Sequence, residues 1–149
     1  MAERTESSIR ILADAATIFD VIADLPAYPQ WSQGISEVEV LESADGRPVR
    51  ARFTLDAGII KDVYELAYTW NGLDSVSWSL VKAEVLTAMD GAYECTIAPD
   101  GSAHLSYQLT VDLRIPMLGM LKRKAEQVIV DTALAGLKKR VESNGSHTR

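Results

Sequence analysis

Six consecutive segments of this chain alternate between apolar and polar residues, which is the pattern of strands that bury one face. The clearest segment runs from Ser75 to Leu80, where every second residue is a serine. Asp-Gly or Asn-Gly pairs at residues 45–46, 71–72 and 100–101 separate successive segments, and such pairs favour tight hairpin turns. Strands joined by short turns run antiparallel. The sequence therefore predicts about six consecutive antiparallel strands between residues 35 and 113.

The segments on either side of these strands complete the predicted fold. Thr5 to Leu12 predicts a first strand, and Asp14 predicts the N-cap of a short helix. Two prolines then break the chain into a turn or second short helix. Pro116 ends the last strand and opens a long helix that is predicted from Met117 to about Glu142. This order predicts an α+β fold, in which the long helix packs on one face of a curved seven-stranded antiparallel sheet.

The bulk properties of the chain limit its organisation and partners. A length of 149 residues fits one domain, predicted over residues 1–142, followed by a flexible polar tail over residues 143–149. The net charge of −6 opposes nucleic-acid binding, which needs clustered cations. The single cysteine, Cys95, allows no intramolecular disulfide, and the sequence contains no apolar run of membrane-spanning length. We therefore expect a cytoplasmic protein without a transmembrane segment.

Few residues offer catalytic or metal-binding chemistry. His104 falls on the polar face of its strand, and His147 lies in the predicted tail. Cys95 falls on an apolar face with no histidine at a spacing that suggests a catalytic pair. The sequence also lacks a recognisable cluster of metal ligands and a glycine-rich phosphate loop. It therefore predicts no catalytic residue, no metal site and no cofactor.

One face of the predicted sheet collects large aromatic and aliphatic side chains. A helix with a diameter of about 10–12 Å covers only part of a curved sheet, so space can remain beside it. Tyrosine and tryptophan add single polar groups to an apolar surface, as is typical of small-molecule sites. By pattern alone, a filled core stays the alternative interpretation. The candidate pocket residues are Trp31, Phe53, Tyr64, Leu66, Tyr68, Trp78, Leu80, Tyr93, Tyr107, Leu109, Met117, Met120, Leu121 and Lys124.

The last four of these candidates place the pocket at the start of the long helix. Met117, Met120 and Leu121 supply apolar side chains, and methionine adapts well to irregular surfaces. Lys124 follows Met120 by one turn and is predicted to overhang the pocket mouth, where its ammonium would meet a ligand carboxylate. The alternatives for this basic stretch are a solvated helix face and a contact with an acidic partner or a lipid headgroup.

Several short segments follow one another in a recognisable order. They include Phe19–Asp24, Tyr28–Trp31, Val38–Leu41 and Tyr64–Tyr68, and Pro116 then opens the long helix. In this order and spacing, the chain resembles the START-like superfamily and, within it, the bacterial polyketide cyclase/dehydrase and coenzyme Q-binding group. The resemblance covers nearly the whole chain. It implies a helix-grip fold with a deep cavity between the sheet and the C-terminal helix, and so favours a pocket over a filled core.

The resemblance leaves more than one function open, because proteins that share this fold differ in activity. The first hypothesis is the binding or transport of a hydrophobic small molecule such as a lipid, a quinone or a polyketide-like compound. The second is a polyketide aromatase/cyclase that acts on a poly-β-ketone chain, with tyrosine hydroxyls polarising carbonyls. The third is a protein-interaction module that associates with ribosomes through the basic helix, which the acidic net charge opposes.

The expected partner follows from the first hypothesis. It is a hydrophobic small-molecule ligand, with no nucleic acid and with transient membrane contact left open. The protein is expected to be a monomer, or a homodimer that pairs through an exposed edge strand.

Overall fold

A seven-stranded antiparallel sheet forms most of the structure, which is a computed structural model that describes residues 5–32, 34–56, 61–114 and 119–146. The sheet order is β1-β7-β6-β5-β4-β3-β2, so the first and last strands of the chain are neighbours. The predicted α+β fold with its curved sheet and long C-terminal helix is confirmed. The elements are β1 (Thr5–Ile11), α1 (Ala15–Ala23), a 3₁₀ helix (Leu25–Gln30), β2 (Ile35–Ala44), β3 (Arg47–Asp56), β4 (Lys61–Asn71), β5 (Ser75–Lys82), β6 (Leu86–Ile97), β7 (Ala103–Leu113) and α2 (Gly119–Ser146).

The predicted turns lie between the strands that they were expected to join. Asp45 and Gly46 connect β2 to β3, and both have positive φ angles, 53° and 78°. This pairing of positive angles matches the right-handed twist of a hairpin, and Asp-Gly supplies it at low steric cost. Gly72 and Gly101 occupy the β4–β5 and β6–β7 turns. These local signals therefore set the order of the meander.

Side-chain hydrogen bonds fix the segment between β1 and β2. The Asp14 carboxylate accepts a hydrogen bond from the Thr17 amide at 2.8 Å, so Asp14 is the N-cap of α1 as predicted. The Tyr28 hydroxyl donates to the Ile22 carbonyl oxygen at 2.5 Å. This bond ties the 3₁₀ helix to α1 and places Tyr28 beneath the sheet's aromatic face.

Helix α2 packs mainly on one side of the sheet, against β1 and β7, and it also contacts α1. Its buried residues on that side are Val130, Leu134, Leu137 and Val141. Strands β3 to β5 lie further along the sheet order and have no comparable contact with the helix. The helix therefore closes the core at one side and leaves the middle of the curved sheet to other side chains.

A buried carboxylate fastens α2 to this side of the sheet. Glu126 is only 1% exposed, and its carboxylate accepts hydrogen bonds from the Thr5 hydroxyl and the Val111 amide, both at 2.7 Å. Thr5 is the first residue of β1 and pairs with Leu109 of β7. The Val111 amide therefore lies beyond the last residue pair between β1 and β7. Glu126 thus joins three elements where the β1–β7 ladder stops.

The end of α2 extends further than the sequence predicts. Residues 143–146 were assigned to a flexible tail but belong to the helix, which ends at Ser146. The last turns are anchored to the end of β1, because Lys138 donates to the Arg10 carbonyl and the Leu12 amide donates to Glu142. Residues 147–149 of the predicted tail lie outside the described residues. Within the described part of the chain, none of the helices is long and apolar enough to cross a membrane.

Replacing Glu126 with alanine should lower the free energy of unfolding by about 1–3 kcal/mol, because the buried Thr5 hydroxyl and the half-buried Val111 amide lose their acceptor. Denaturant unfolding measures the change. Lys139→Ala, an exposed substitution on the same helix, is the control and should stay within about 0.5 kcal/mol of the parent chain. Equal stabilities for the two variants would contradict the role given to Glu126.

Candidate ligand-binding site

A cavity of about 470 Å³ lies between the inner face of the sheet, the 3₁₀ helix and α2. Small-molecule sites commonly have volumes of about 300–1,000 Å³, so this cavity is large enough for a ligand of several rings. It exists because the sheet curves while α2 packs mainly on β1 and β7. The aromatic face of the sheet is therefore only partly filled core.

Eight of the fourteen predicted pocket residues line this cavity. They come from alternate positions of strands β3 to β7 and from the end of the 3₁₀ helix, so the period-two pattern identified the inward face. These residues are Trp31, Phe53, Tyr64, Leu66, Tyr68, Trp78, Tyr93 and Tyr107.

Three other predicted residues lie elsewhere. Leu109 is completely buried on β7, in the part of the sheet that β1 and α2 cover, and so belongs to the filled core. Leu80 is half-buried near the end of β5, beyond Trp78, where β5 is no longer paired with β6. Lys124 is exposed and does not line the cavity. Its side chain is solvated, as the alternative interpretation of this lysine held.

The remaining three predictions fall outside what the structure describes. Met117 lies outside the described residues, as do the side chains of Met120 and Leu121. The described part of α2 that lines the cavity begins further along the helix, at Val128, Ile129, Thr132 and Ala133. Val128 and Ile129 are 57% and 39% exposed. The sequence signal for this part of the wall is the run of three apolar residues from Val128 to Val130, since a helix that packs on one side buries only part of such a run.

Sequence reasoning also missed residues at the ends of strands and in the 3₁₀ helix. Their alternation is ordinary, and only the fold shows that they converge on the same space. These additional lining residues include Tyr28, Ile35, Leu55, Leu86, Met89 and Val111.

Aromatic rings form a continuous wall along the cavity. Phe53 and Tyr64 are stacked, with ring centroids 5.3 Å apart and planes inclined by 7°. On the other side, the rings of Tyr93 and Tyr107 lie 4.6 Å apart, and Trp78 contacts both of them. Offset and edge contacts of this kind stabilise aromatic clusters beyond the burial of their surface. The wall therefore has a defined shape instead of collapsing inward.

Two glycines create the space that this wall needs. Gly91 lies opposite Trp78 in the β5–β6 register, and a Cβ atom at Gly91 would come within 2.4 Å of the indole ring. At Gly136 on α2, a Cβ atom would come within 2.7 Å of the Trp31 carbonyl oxygen. Larger residues at these positions would displace Trp78 or separate α2 from Trp31. Both glycines thus position aromatic lining residues.

All five tyrosines of the chain line the cavity. The Tyr28 hydroxyl has a partner in the Ile22 carbonyl, whereas those of Tyr64, Tyr68, Tyr93 and Tyr107 have none among the described residues. Burial raises the pKa of each tyrosine above its ordinary value, and neighbouring tyrosines raise the pKa of Tyr28 and Tyr68 further. Near neutral pH the cavity therefore presents protonated hydroxyls that can donate hydrogen bonds.

Few charged or potentially catalytic side chains line the described part of the cavity. Among the described lining residues, Asp56 is the one ionisable side chain other than tyrosine. His104 is exposed, and burial, with a smaller effect from Asp74, raises the pKa of the buried Cys95 thiol. Within the described residues, no group of three histidines, cysteines or carboxylates could hold a metal ion. The arrangement of the described residues suits ligand burial and hydrogen bonding better than proton transfer or nucleophilic attack.

A carboxylate on β4 supports one end of the wall. Asp62 is buried, and its two oxygens accept hydrogen bonds from the amides of Glu84, Val85 and Leu86 at 2.9–3.2 Å. These bonds hold the connection between β5 and β6 against β4. They also place Leu86 in the cavity lining.

The indole nitrogen of Trp31 is exceptional in this region. Among the described residues it is the one completely enclosed side-chain polar atom without a hydrogen-bond partner, whereas the unpartnered tyrosine hydroxyls keep some accessible surface. Trp31 also borders a second, smaller hollow of about 240 Å³ that includes Asp24 and Arg140. Trp31 therefore borders both the main cavity and a more polar hollow beside α1.

Comparison with known families and structures agrees with this geometry. The family described as "Polyketide cyclase / dehydrase and lipid transport" matches residues 11–138. The match begins at the last residue of β1 and spans the other six strands and most of α2. No curated protein gives a significant sequence match.

Solved structures share the fold at low sequence identity. A START superfamily protein from Mycobacterium smegmatis is 22% identical, with a TM-score of 0.86 over 94% of this chain and 97% of that chain. The Zhui aromatase/cyclase from Streptomyces sp. R1128 is 14% identical, with a TM-score of 0.73 over 95% and 94%. A STAR-related lipid transfer protein from Xanthomonas axonopodis is 19% identical, with a TM-score of 0.70 over 93% and 85%.

The tyrosines should resist ionisation in the native protein. Because their folded pKa values are raised above about 10, their contribution to stability is complete below about pH 10 and is lost as the pH rises through the folded values. Tyrosinate absorbance should therefore rise only as the protein unfolds, in step with loss of its circular dichroism. The chain in denaturant is the control and should titrate near pH 10. Ionisation near pH 10 in a fully folded protein would contradict this burial.

Proposed function

Because this chain belongs to the polyketide cyclase/dehydrase and lipid transport family, we propose that it binds and carries a hydrophobic small molecule. The observation that carries the proposal is the cavity of about 470 Å³, with its aromatic and aliphatic walls between the sheet and α2. Burying apolar ligand surface there contributes roughly 25 cal/mol per Å² before the costs of association. The few polar groups in the wall would orient the ligand.

The exposed part of the lining supports access from the α2 side. Val128 and Ile129 contribute to the cavity while keeping 57% and 39% of their surfaces exposed. Residues that contact both the cavity and solvent mark its mouth. A ligand that passes them would reach the aromatic wall without crossing the core, which is filled between α2, β1 and β7.

A larger side chain at Ala133 should block binding. Ala133 is half-buried and lines the cavity on α2, so Ala133→Phe would occupy ligand space. We expect the affinity for the neutral apolar dye Nile red to fall at least about tenfold, measured by fluorescence titration. Native mass spectrometry of the parent protein from its own host should show a co-purifying small molecule, and the variant should retain less of it.

The matched control for this experiment is Ala135→Phe, which adds the same side chain at an exposed position two residues along α2. It should bind Nile red like the parent protein. Thermal melting shows whether either variant has lost its fold, which is needed because overpacking is itself destabilising. Unchanged binding in folded Ala133→Phe, or no dye binding by the parent protein, would refute the carrier role at this cavity.

A second candidate function is the cyclisation of a poly-β-ketone chain. The observation that favours it is the set of tyrosine hydroxyls in the cavity, since these groups could hydrogen-bond to carbonyls and hold one folded conformation. The fold is shared with an aromatase/cyclase at a TM-score of 0.73, which supports the candidate without assigning the activity. Such an activity would depend on orientation more than on acid/base groups.

If the protein is a cyclase, it should change the products of a reactive poly-β-ketone. Incubation should enrich one cyclised product over the spontaneous mixture, as measured by liquid chromatography and mass spectrometry. Ala133→Phe should return the product distribution to the spontaneous one, and Ala135→Phe should not. A distribution that the parent protein leaves unchanged would exclude this activity for the tested substrate and leave the carrier role standing.

A further inference from the structure

Four tyrosine hydroxyls in the cavity are not explained by a purely apolar ligand. Tyr64, Tyr68, Tyr93 and Tyr107 are each at most 8% exposed, and none of their hydroxyls has a partner among the described residues. A hydroxyl removed from water without a replacement hydrogen bond is unfavourable. A hydrocarbon ligand would leave all four in this state, whereas oxygen atoms on a ligand would satisfy them.

The four hydroxyl groups come from three strands of the sheet, β4, β6 and β7. Tyr93 and Tyr107 face each other across the β6–β7 register, with ring centroids 4.6 Å apart. Tyr64 and Tyr68 lie on the same face of β4, with their backbones about 13 Å apart along the strand. One carbonyl oxygen has two lone pairs, so a ligand with a single oxygen atom would satisfy only part of this set of four donors. Oxygen atoms at two or more positions would match it better.

The charges around the cavity disfavour an anionic ligand. No lysine or arginine is present among the described lining residues, and Asp56 contributes a carboxylate there. Lys124, which the sequence placed over the mouth, is exposed and outside the lining. A ligand carboxylate that moved from water into this cavity would lose its hydration. Among the described lining residues no cation would offset that loss. A neutral ligand avoids this cost.

The shape of the wall favours rings over a single flexible chain. The Phe53 and Tyr64 rings are nearly parallel, and the rings of Trp78, Tyr93 and Tyr107 continue the aromatic surface on the other side. Flat aromatic ligands gain offset and edge contacts on such surfaces. A rigid ring system also loses less conformational freedom on binding than an acyl chain does.

We propose that this cavity selects a neutral ring compound that carries two or more oxygen acceptors, such as carbonyl groups. The selection is against pure hydrocarbons and against ligands that carry a carboxylate. The proposal rests on the proposed function, because it specifies the ligand class of the same cavity. Its hydrogen-bond donors are the hydroxyls of Tyr64, Tyr68, Tyr93 and Tyr107.

Three probes with the same ring skeleton separate these classes. Anthracene offers rings alone, anthraquinone adds two carbonyl oxygens, and anthracene carboxylate adds a negative charge. Competition against Nile red gives the relative affinities in one buffer. Anthraquinone should bind about fivefold more tightly than anthracene, and at least about tenfold more tightly than the carboxylate.

Removing hydroxyls should remove the preference and leave the rings in place. The double variant Tyr93→Phe/Tyr107→Phe should bind anthracene at least as well as the parent protein does, and its preference for anthraquinone should fall to about twofold or less. Thr69→Val is the matched control, because it removes a hydroxyl from the exposed face of β4, outside the described cavity lining. That variant should keep the preference, and thermal melting shows that each variant is folded.

The outcomes distinguish this proposal from the carrier role on which it rests. If Nile red fails to bind, the carrier role fails and the ligand class fails with it. If Nile red binds and none of the three probes displaces it, the ligand class fails and the carrier role stands. If anthracene binds as tightly as anthraquinone, or the carboxylate binds most tightly, the selection is overturned and the carrier role stands. A preference that survives in the double variant and in Tyr64→Phe/Tyr68→Phe would also overturn it.

Discussion

The position of α2 on the sheet decides whether the aromatic face is core or cavity. The helix packs mainly on β1 and β7, and the buried Glu126 holds it there through Thr5 and Val111. Had the helix centred on β4 and β5, its side chains would have filled the space that the tyrosines now line. A single carboxylate at the end of the β1–β7 ladder therefore has consequences for the whole interior. Its hydrogen bonds replace strand pairing and fix the helix off-centre.

Close packing at two glycines complements this constraint. Gly91 lets the Trp78 indole lie against the backbone of β6, and Gly136 lets α2 approach the Trp31 carbonyl. Both contacts bring large rings next to backbone, where side chains would otherwise keep them apart. The result is an aromatic wall that is supported from behind. Support of this kind keeps a cavity open, because otherwise burial of apolar surface favours collapse.

The sequence predicted the sheet better than the cavity for a physical reason. Alternation and turn residues are local properties, and they placed Phe53, Tyr64, Tyr93 and Tyr107 on the inward face. Whether an inward residue faces ligand space or filled core depends on where α2 lies. Leu109 has the same alternation as Tyr107 but lies in the filled part of the sheet. Off-centre docking of a helix is a tertiary property, and no local pattern encodes it.

Helix α2 also contains residues whose positions in the fold the sequence did not indicate. The sequence analysis did not single out Val128 and Ile129, which line the cavity in the described part of α2. Glu126 was not singled out, because a glutamate on a charged helix has the pattern of a solvated residue. Only its contact with Thr5 across the fold shows that it is buried. Sequence patterns therefore assign a charged residue to the surface even when the fold buries it beside hydrogen-bond partners.

The raised pKa values of the cavity tyrosines favour hydrogen bonding to a ligand over acid/base catalysis. A general acid or base works best when its pKa lies near the operating pH, and burial moves the tyrosines away from that range. Their hydroxyls remain good hydrogen-bond donors while becoming poorer proton donors. A cavity built from such groups can hold and orient a ligand with oxygen atoms. Any reaction that it promotes would depend on the conformation in which the ligand is held, because Asp56 is the one ionisable side chain besides tyrosine in the described lining.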